Sequence, residues 1–234
     1  MKISFAEKEN KVIFRLDDVD EKYYQVLKDC YYQPAGKSYY KAFPKDSRDF
    51  SIIRHNFSLY ADAMFGQAGH FLAVPWEKAL SEFIERLNES EINWWLVGSC
   101  AACIRGIPIK PHDVDIMVDS KDIEKIHRRF LDCIVEPIVD TRGWVTKDFG
   151  VIFLHARIDI ASDPQPAADI PTPCDFGLYA KQHLEMVTWK RFKIRVPPLY
   201  LYLNTNQQRG RFDRVNLIEE YLAKNKKAET TDGV

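Results

Sequence analysis

The sequence has no apolar run approaching the length of a membrane span, and its opening, MKISFAEKENK, lacks the apolar stretch of a signal peptide. A cytoplasmic protein with no membrane partner is therefore the expectation. There is no charge excess either: 33 Lys and Arg stand against 34 Asp and Glu. This excludes a global basic field that would draw in nucleic acid and leaves room only for a local patch. The five cysteines are few and odd in number, which suits a reducing compartment better than a disulfide framework. Cys100 and Cys103 form C-x-x-C without the second pair that four-coordinate zinc needs, so both read as core residues. What is present is the composition of a soluble globular chain, 46% hydrophobic and 29% charged over 234 residues, enough for one large or two small domains.

The stretch that organises the rest runs from Trp94 to Asp119, WWLVGSCAACIRGIPIKPHDVDIMVD. Trp94 to Val97 reads as a buried strand ended by Gly98, where glycine permits a sharp turn and lets a ligand approach the main chain. Ser99 is expected to cap a short helix from Cys100 to Arg105, whose free N–H groups suit phosphate. Beyond Pro108 and Pro111 a second strand carries Asp113 and Asp115. Alternate strand residues share a face, so the two carboxylates point the same way, about 7 Å apart along the chain, while Val114 and Ile116 enter the core. Such like charges repel, and a divalent cation between them removes the repulsion; hard oxygen ligands suit Mg²⁺.

Gly98-Ser99, a spacer of thirteen residues and then Asp113-Val114-Asp115-Ile116 resemble the signature of the polymerase-β-like nucleotidyltransferase superfamily. The likeness extends over roughly Pro75 to Asn225. It implies an α/β (α+β) nucleotidyltransferase fold, a twisted mixed sheet of about five strands with helices, and a third carboxylate on a later strand, a place that Asp159 fills in HARIDI. It also implies transfer of a nucleoside monophosphate from an NTP such as ATP to a hydroxyl acceptor, with Mg²⁺ or Mn²⁺ held by Asp113, Asp115 and Asp159. Gly98, Ser99, Arg105 and Arg157 are then the residues expected to meet the nucleotide. Arg157 shares a face with Asp159, so a salt bridge to the aspartates competes with phosphate binding. Lys110, Lys193 and Arg195 are weaker candidates of the same kind. His112 is read as structural, His155 as a minor substrate contact, and Asp119 as a cap for the following helix. Relatives end in a helix pair in which a lysine precedes an arginine and an aspartate. Arg209, Arg211 and Asp213 fit the latter two, but Asn204, Thr205 or Asn206 stands where the lysine is expected.

Residues 1–72 read as a small α+β accessory segment, 73–225 as the nucleotidyltransferase-like domain with its C-terminal helices, and 226–234 as a flexible tail. The first segment holds Tyr23-Tyr24, Tyr31-Tyr32 and Tyr39-Tyr40, recurring every eight residues among lysines. Either one tyrosine of each pair packs inward, or exposed tyrosines stack on a substrate. Between Ser162 and Pro173 a proline-rich loop is expected at the rim of the cleft. Three function classes follow: an enzyme acting on a small hydroxylated acceptor, a toxin-antitoxin-type enzyme modifying RNA or protein, and a non-catalytic binding module. Three aspartates facing one another without a use would destabilise a mere binding module. The NTP, the acceptor and the oligomeric state are left open.

Overall fold

The computed structural model describes residues 1–88 and 90–231, the side chains from 226 onward excepted. The chain opens with an antiparallel hairpin of β1 (Lys2–Lys8) and β2 (Lys11–Asp17), in which Val12, Phe14 and Leu16 alternate inward. The Asp20 carboxylate accepts from the Lys22 N–H and starts a 3-10 turn that leads into α1 (Tyr24–Asp29). β3 (Gln33–Ala35) and β4 (Ser38–Pro44) complete a sheet of order β1-β2-β4-β3. β3 ends at the turn made by Gly36, φ 66°. β1 was not foreseen, because its inward residues Ile3 and Phe5 are only half-buried among polar neighbours.

Helix α2 (Phe50–Ala68) lies between this sheet and a second, larger one. Its Phe57 packs on Phe5, Phe14 and Tyr32, while Asn56 donates to the carbonyls of Leu131 and Ile134. The larger part follows as α3 (Trp76–Leu87), β5 (Trp94–Val97), α4 (Gly98–Cys103), β6 (Val114–Val118), α5 (Ile123–Phe130), β7 (Ile134–Asp140), β8 (Thr146–Leu154) and β9 (Ala156–Pro164). Its strands run in the order β5-β6-β9-β8-β7, with β6 and β9 parallel and the other neighbours antiparallel. The amphipathic pattern of α3 buries Ala79, Leu80, Phe83 and Leu87, and Phe83 stacks on Phe130 of α5 at 4.9 Å. One apolar core runs through both sheets, and the buried Glu136 of β7 ties them together by accepting from Tyr32 (2.9 Å) and Lys41 (2.5 Å).

β8 and β9 form a hairpin that turns at His155, φ 60°. Trp144 and Val145 precede β8 and lie in no strand. After β9 come α6 (Leu178–Gln182), the hairpin β10 (Glu185–Trp189) and β11 (Phe192–Val196), and the helix pair α7 (Leu199–Gln208) and α8 (Phe212–Thr231). Ile107, Tyr202 and Ile218 pack this pair against the α4 end of the sheet. The backbone of α8 continues to Thr231, into the stretch read as a tail; residues 232–234 of that stretch lie outside the described residues. No helix among the described residues is long and apolar enough to cross a membrane.

Candidate active site

The site forms where β5, β6 and β9 lie side by side. Parallel pairing puts Asp115 directly opposite Asp159, and Asp113 sits one residue before β6. The three carboxylates offer oxygens that all lie within 4.8 Å of one another. The Asp-x-Asp spacing and the isolated later aspartate therefore converge as the sequence implied. All three are pushed towards the neutral form, chiefly by burial. Asp115 is raised most, since Asp113, Asp159 and Asp175 add their negative charge to that burial. Asp159 is raised to about 6, against the pull of Arg157.

Gly98, at φ 68°, turns the chain from β5 into α4, and a β-carbon built on it would collide with Asp115 Oδ2. Ser99 is buried within the first turn of α4 rather than capping it; Val97 holds the cap position and makes no side-chain bond there. The two cysteines of α4 behave as packing residues. The Cys100 thiol donates to the carbonyl of Asp113, and the Cys103 thiol to that of Ile109, fastening the loop that delivers the aspartates.

Arg157 does not reach out for phosphate. Buried at 4% exposure, it forks onto Asp159, with Nε donating to Oδ1 at 2.5 Å and Nη2 to Oδ2 at 3.1 Å. Arg105 is not brought to the site: its guanidinium donates to Glu185 and to the carbonyl of Pro197. Arg195 is held by Asn93 and the Trp94 carbonyl, and Lys110 and Lys193 are exposed and do not line the cleft. His155 pairs with Glu82 of α3 at 2.7 Å and does not line the cleft. His112 lies on the cleft rim, its Nε2 2.9 Å from His70 Nε2. Asp119 makes no cap bond; its carboxylate accepts from Asn93 and pairs with Lys181.

Above the triad opens a cleft of about 810 Å³, large enough for a nucleotide-sized ligand. Its C-terminal wall carries Arg209, Arg211, Asp213 and Arg214. Asp175, nine-tenths or more buried, was not visible in the sequence: its Oδ2 accepts from the Gly98 N–H at 2.9 Å and its Oδ1 from the Thr205 hydroxyl at 2.7 Å. A lone aspartate after a proline-rich loop carries no periodic signal. Arg214, which donates to the Tyr202 hydroxyl, was missed for the same reason. Of the paired tyrosines, Tyr32 and Tyr39 are buried while Tyr31 and Tyr40 are exposed, and of these four only Tyr31 lines the cleft.

Residues 79–163 match the family of aminoglycoside-2''-adenylyltransferases, short of half the chain but containing Gly98, Ser99, Asp113, Asp115 and Asp159 together. This match supports the nucleotidyltransferase superfamily. A crystal structure from Thermotoga maritima, provisionally described as a nucleotidyltransferase, overlaps 65% of this chain and 96% of its own at 19% identity and a TM-score of 0.49. That overlap is too loose to say anything further of this one. No curated protein sequence matches significantly. The matched stretch ends before Asp175 and the C-terminal arginines and begins after Tyr31, so the C-terminal wall of the cleft and Tyr31 lie outside the family match.

Proposed function

We propose that the protein transfers a nucleoside monophosphate from an NTP to a hydroxyl of a small acceptor, with Mg²⁺ or Mn²⁺ bound at Asp113, Asp115 and Asp159. The observation that carries this reading is the convergence of three recessed carboxylates beside a positive-φ glycine turn on the floor of one cleft. The donor set suits a divalent cation. All its atoms are hard oxygens, burial disfavours the charge of Asp113 and Asp115 and the neighbouring carboxylates add to this at Asp115, and Arg157 occupies only part of the accepting capacity of Asp159. The ions would lower the cost of charge building up on an already anionic phosphorus.

The remaining work falls to the chain. The Gly98-Ser99 main chain would face the phosphates, and Arg209, Arg211 and Arg214 would neutralise them from the opposite wall, making up for the absent lysine. Asp159 would take the acceptor's hydroxyl proton as that oxygen bonds to the α-phosphorus; the bond from phosphorus to the bridging oxygen breaks, and pyrophosphate leaves. Arg157 would act by holding Asp159 in place. The name of the matching family favours a small aminated and hydroxylated acceptor.

The test incubates the protein with each α-labelled NTP and Mg²⁺, alone and then with aminoglycosides, lincosamides, RNA or cell extract, alongside Asp113→Asn. Label on a small acceptor with wild type and none with the variant is the expected result. Label on RNA or protein would replace the acceptor class with a macromolecular one. Nucleotide binding without any transfer would leave a binding module.

A further inference from the structure

Along the sheet order β5-β6-β9-β8-β7, the cleft passes from the Gly98 turn to Asp113 and Asp115, then to Asp159, and then to an aromatic wall. That wall has three members. Phe149 of β8 lies opposite Ala161, two residues along the same strand face from Asp159. Trp144 meets Phe149 edge to face at 5.3 Å. Tyr31, at the end of α1, meets Trp144 edge to face at 5.1 Å. Tyr31 is 51% exposed and Trp144 37%, so both rings keep a free surface. Both are set by unusual backbone: Tyr31 has φ 65°, and Trp144 follows Arg142 and Gly143 at φ 56° and 96°. Tyr31 and Asp159 line the same cleft.

Phosphoryl transfer sets the attacking and leaving oxygens roughly in line. If the phosphates lie towards the Gly98 turn and the C-terminal arginines, as in the function proposed above, on which this inference rests, the acceptor must enter from the far side of the triad. We propose that Tyr31 and Trp144 form the acceptor subsite and that it takes a ring-bearing hydroxyl compound, uncharged or cationic, whose ring face packs on the two aromatics. Charge favours this class. Among the described cleft residues contributed by 26–31, 144–149 and 157, the one cation is Arg157, already committed to Asp159; Lys41, 5.9 Å from the Tyr31 ring centroid, is committed to Glu136, and the anion Asp29 also lines that side. A polyanionic backbone would meet only cations already paired with carboxylates there. The N-terminal segment thus contributes one tyrosine to specificity, while its other tyrosines pack or lie elsewhere.

The test uses the full-length protein with Mg²⁺ and a non-hydrolysable ATP analogue. Kanamycin, lincomycin and adenosine are titrated while tryptophan fluorescence is read, in wild type, Trp144→Phe, Tyr31→Ala and Tyr31→Phe. In parallel, label transfer from α-labelled NTPs is measured over the same compounds. The expected result is quenching by at least one compound that Trp144→Phe abolishes. Tyr31→Ala should weaken that binding and raise the acceptor KM by about tenfold. Tyr31→Phe should retain it, ATP-analogue affinity should stay within about twofold, and Tyr40→Ala, outside the cleft, should match wild type. Quenching that depends on Trp144 with no transfer would sink the proposed reaction and spare the subsite. Transfer indifferent to Tyr31 and Trp144, a loss of nucleotide affinity equal to the loss of acceptor affinity, or a panel with no Trp144-dependent quencher would overturn the subsite.

Discussion

Gly98 and Asp115 occupy adjacent space so tightly that no side chain fits on the glycine without moving the carboxylate. The left-handed φ of Gly98 adds a cost of about 1–2 kcal/mol for any L-residue. Gly98→Ala should therefore lower stability by at least that amount and displace Asp115 from the cluster. Urea unfolding and Mn²⁺ titration check the two effects; a variant with wild-type stability and metal affinity would show that the turn tolerates a β-carbon.

The pH dependence of the metal-free protein has a definite sign. A carboxyl whose folded pKa is raised contributes stability below its unfolded pKa, near 4, and loses it as pH climbs through the folded value. Asp159 does so up to about 6, and Asp113 and Asp115 are shifted in the same direction, Asp115 well upward. Melting temperature without metal should fall between about pH 4.5 and 7, and the increment on adding Mg²⁺ or Mn²⁺ should grow over the same interval. Asp115→Asn should raise the metal-free melting temperature at pH 7.5, leave it nearly unchanged at pH 4.5, and abolish the metal increment. A metal increment that does not vary with pH would contradict the assignment.

Arg157 and Asp159 form a recessed pair, with side chains 5% and 16% exposed. Removing one partner leaves the other charge uncompensated, a loss of about 3–5 kcal/mol for such pairs. Arg157→Gln should show a loss of that order at pH 7.5 and a smaller one at pH 5, where Asp159 is protonated. Arg157→Lys should recover only part, because an ammonium cannot fork onto both oxygens. Denaturant melts at the two pH values read this directly; equal losses at both would mean that packing rather than charge carries the effect.

Asp175 joins the Gly98 turn to α7 through the Thr205 hydroxyl. Asparagine can keep both bonds, with its carbonyl accepting from Gly98 and its amide donating to Thr205. Asp175→Asn should thus be mild, while Asp175→Ala orphans the Gly98 N–H at a cost of about 1–3 kcal/mol. Nucleotide affinity measured calorimetrically should fall for the alanine variant and be largely retained by asparagine. Equal effects of the two would remove Asp175 from the phosphate turn.

Tyr32, one residue from the exposed Tyr31, is 1% exposed and donates to Glu136. Tyr32→Phe should cost about 1–3 kcal/mol, since a buried carboxylate loses a donor. Any transfer activity of the folded fraction should be unaffected. A fall in acceptor turnover at full stability would assign Tyr32 a role in the cleft that its burial argues against.

Local chemistry is what the linear chain could specify. Glycine at position 98, the alternation of Asp113 and Asp115, the amphipathic α3 and the apolar flanks of Asp159 are properties of a few consecutive residues, and period-two and period-3.6 patterns act at that range. They sufficed to single out the three aspartates that the fold brings together, the mixed five-stranded sheet and the likeness to nucleotidyltransferases. Packing decided the rest. Which tyrosine of a pair turns inward depends on the position of Phe57 and Glu136, far along the chain. Arg105 was drawn off by Glu185. Asp175 and Arg214 acquired meaning only when α7 and α8 closed over the Gly98 turn. Such pairings bring together side chains many tens of residues apart, where no spacing rule operates and burial selects the partner.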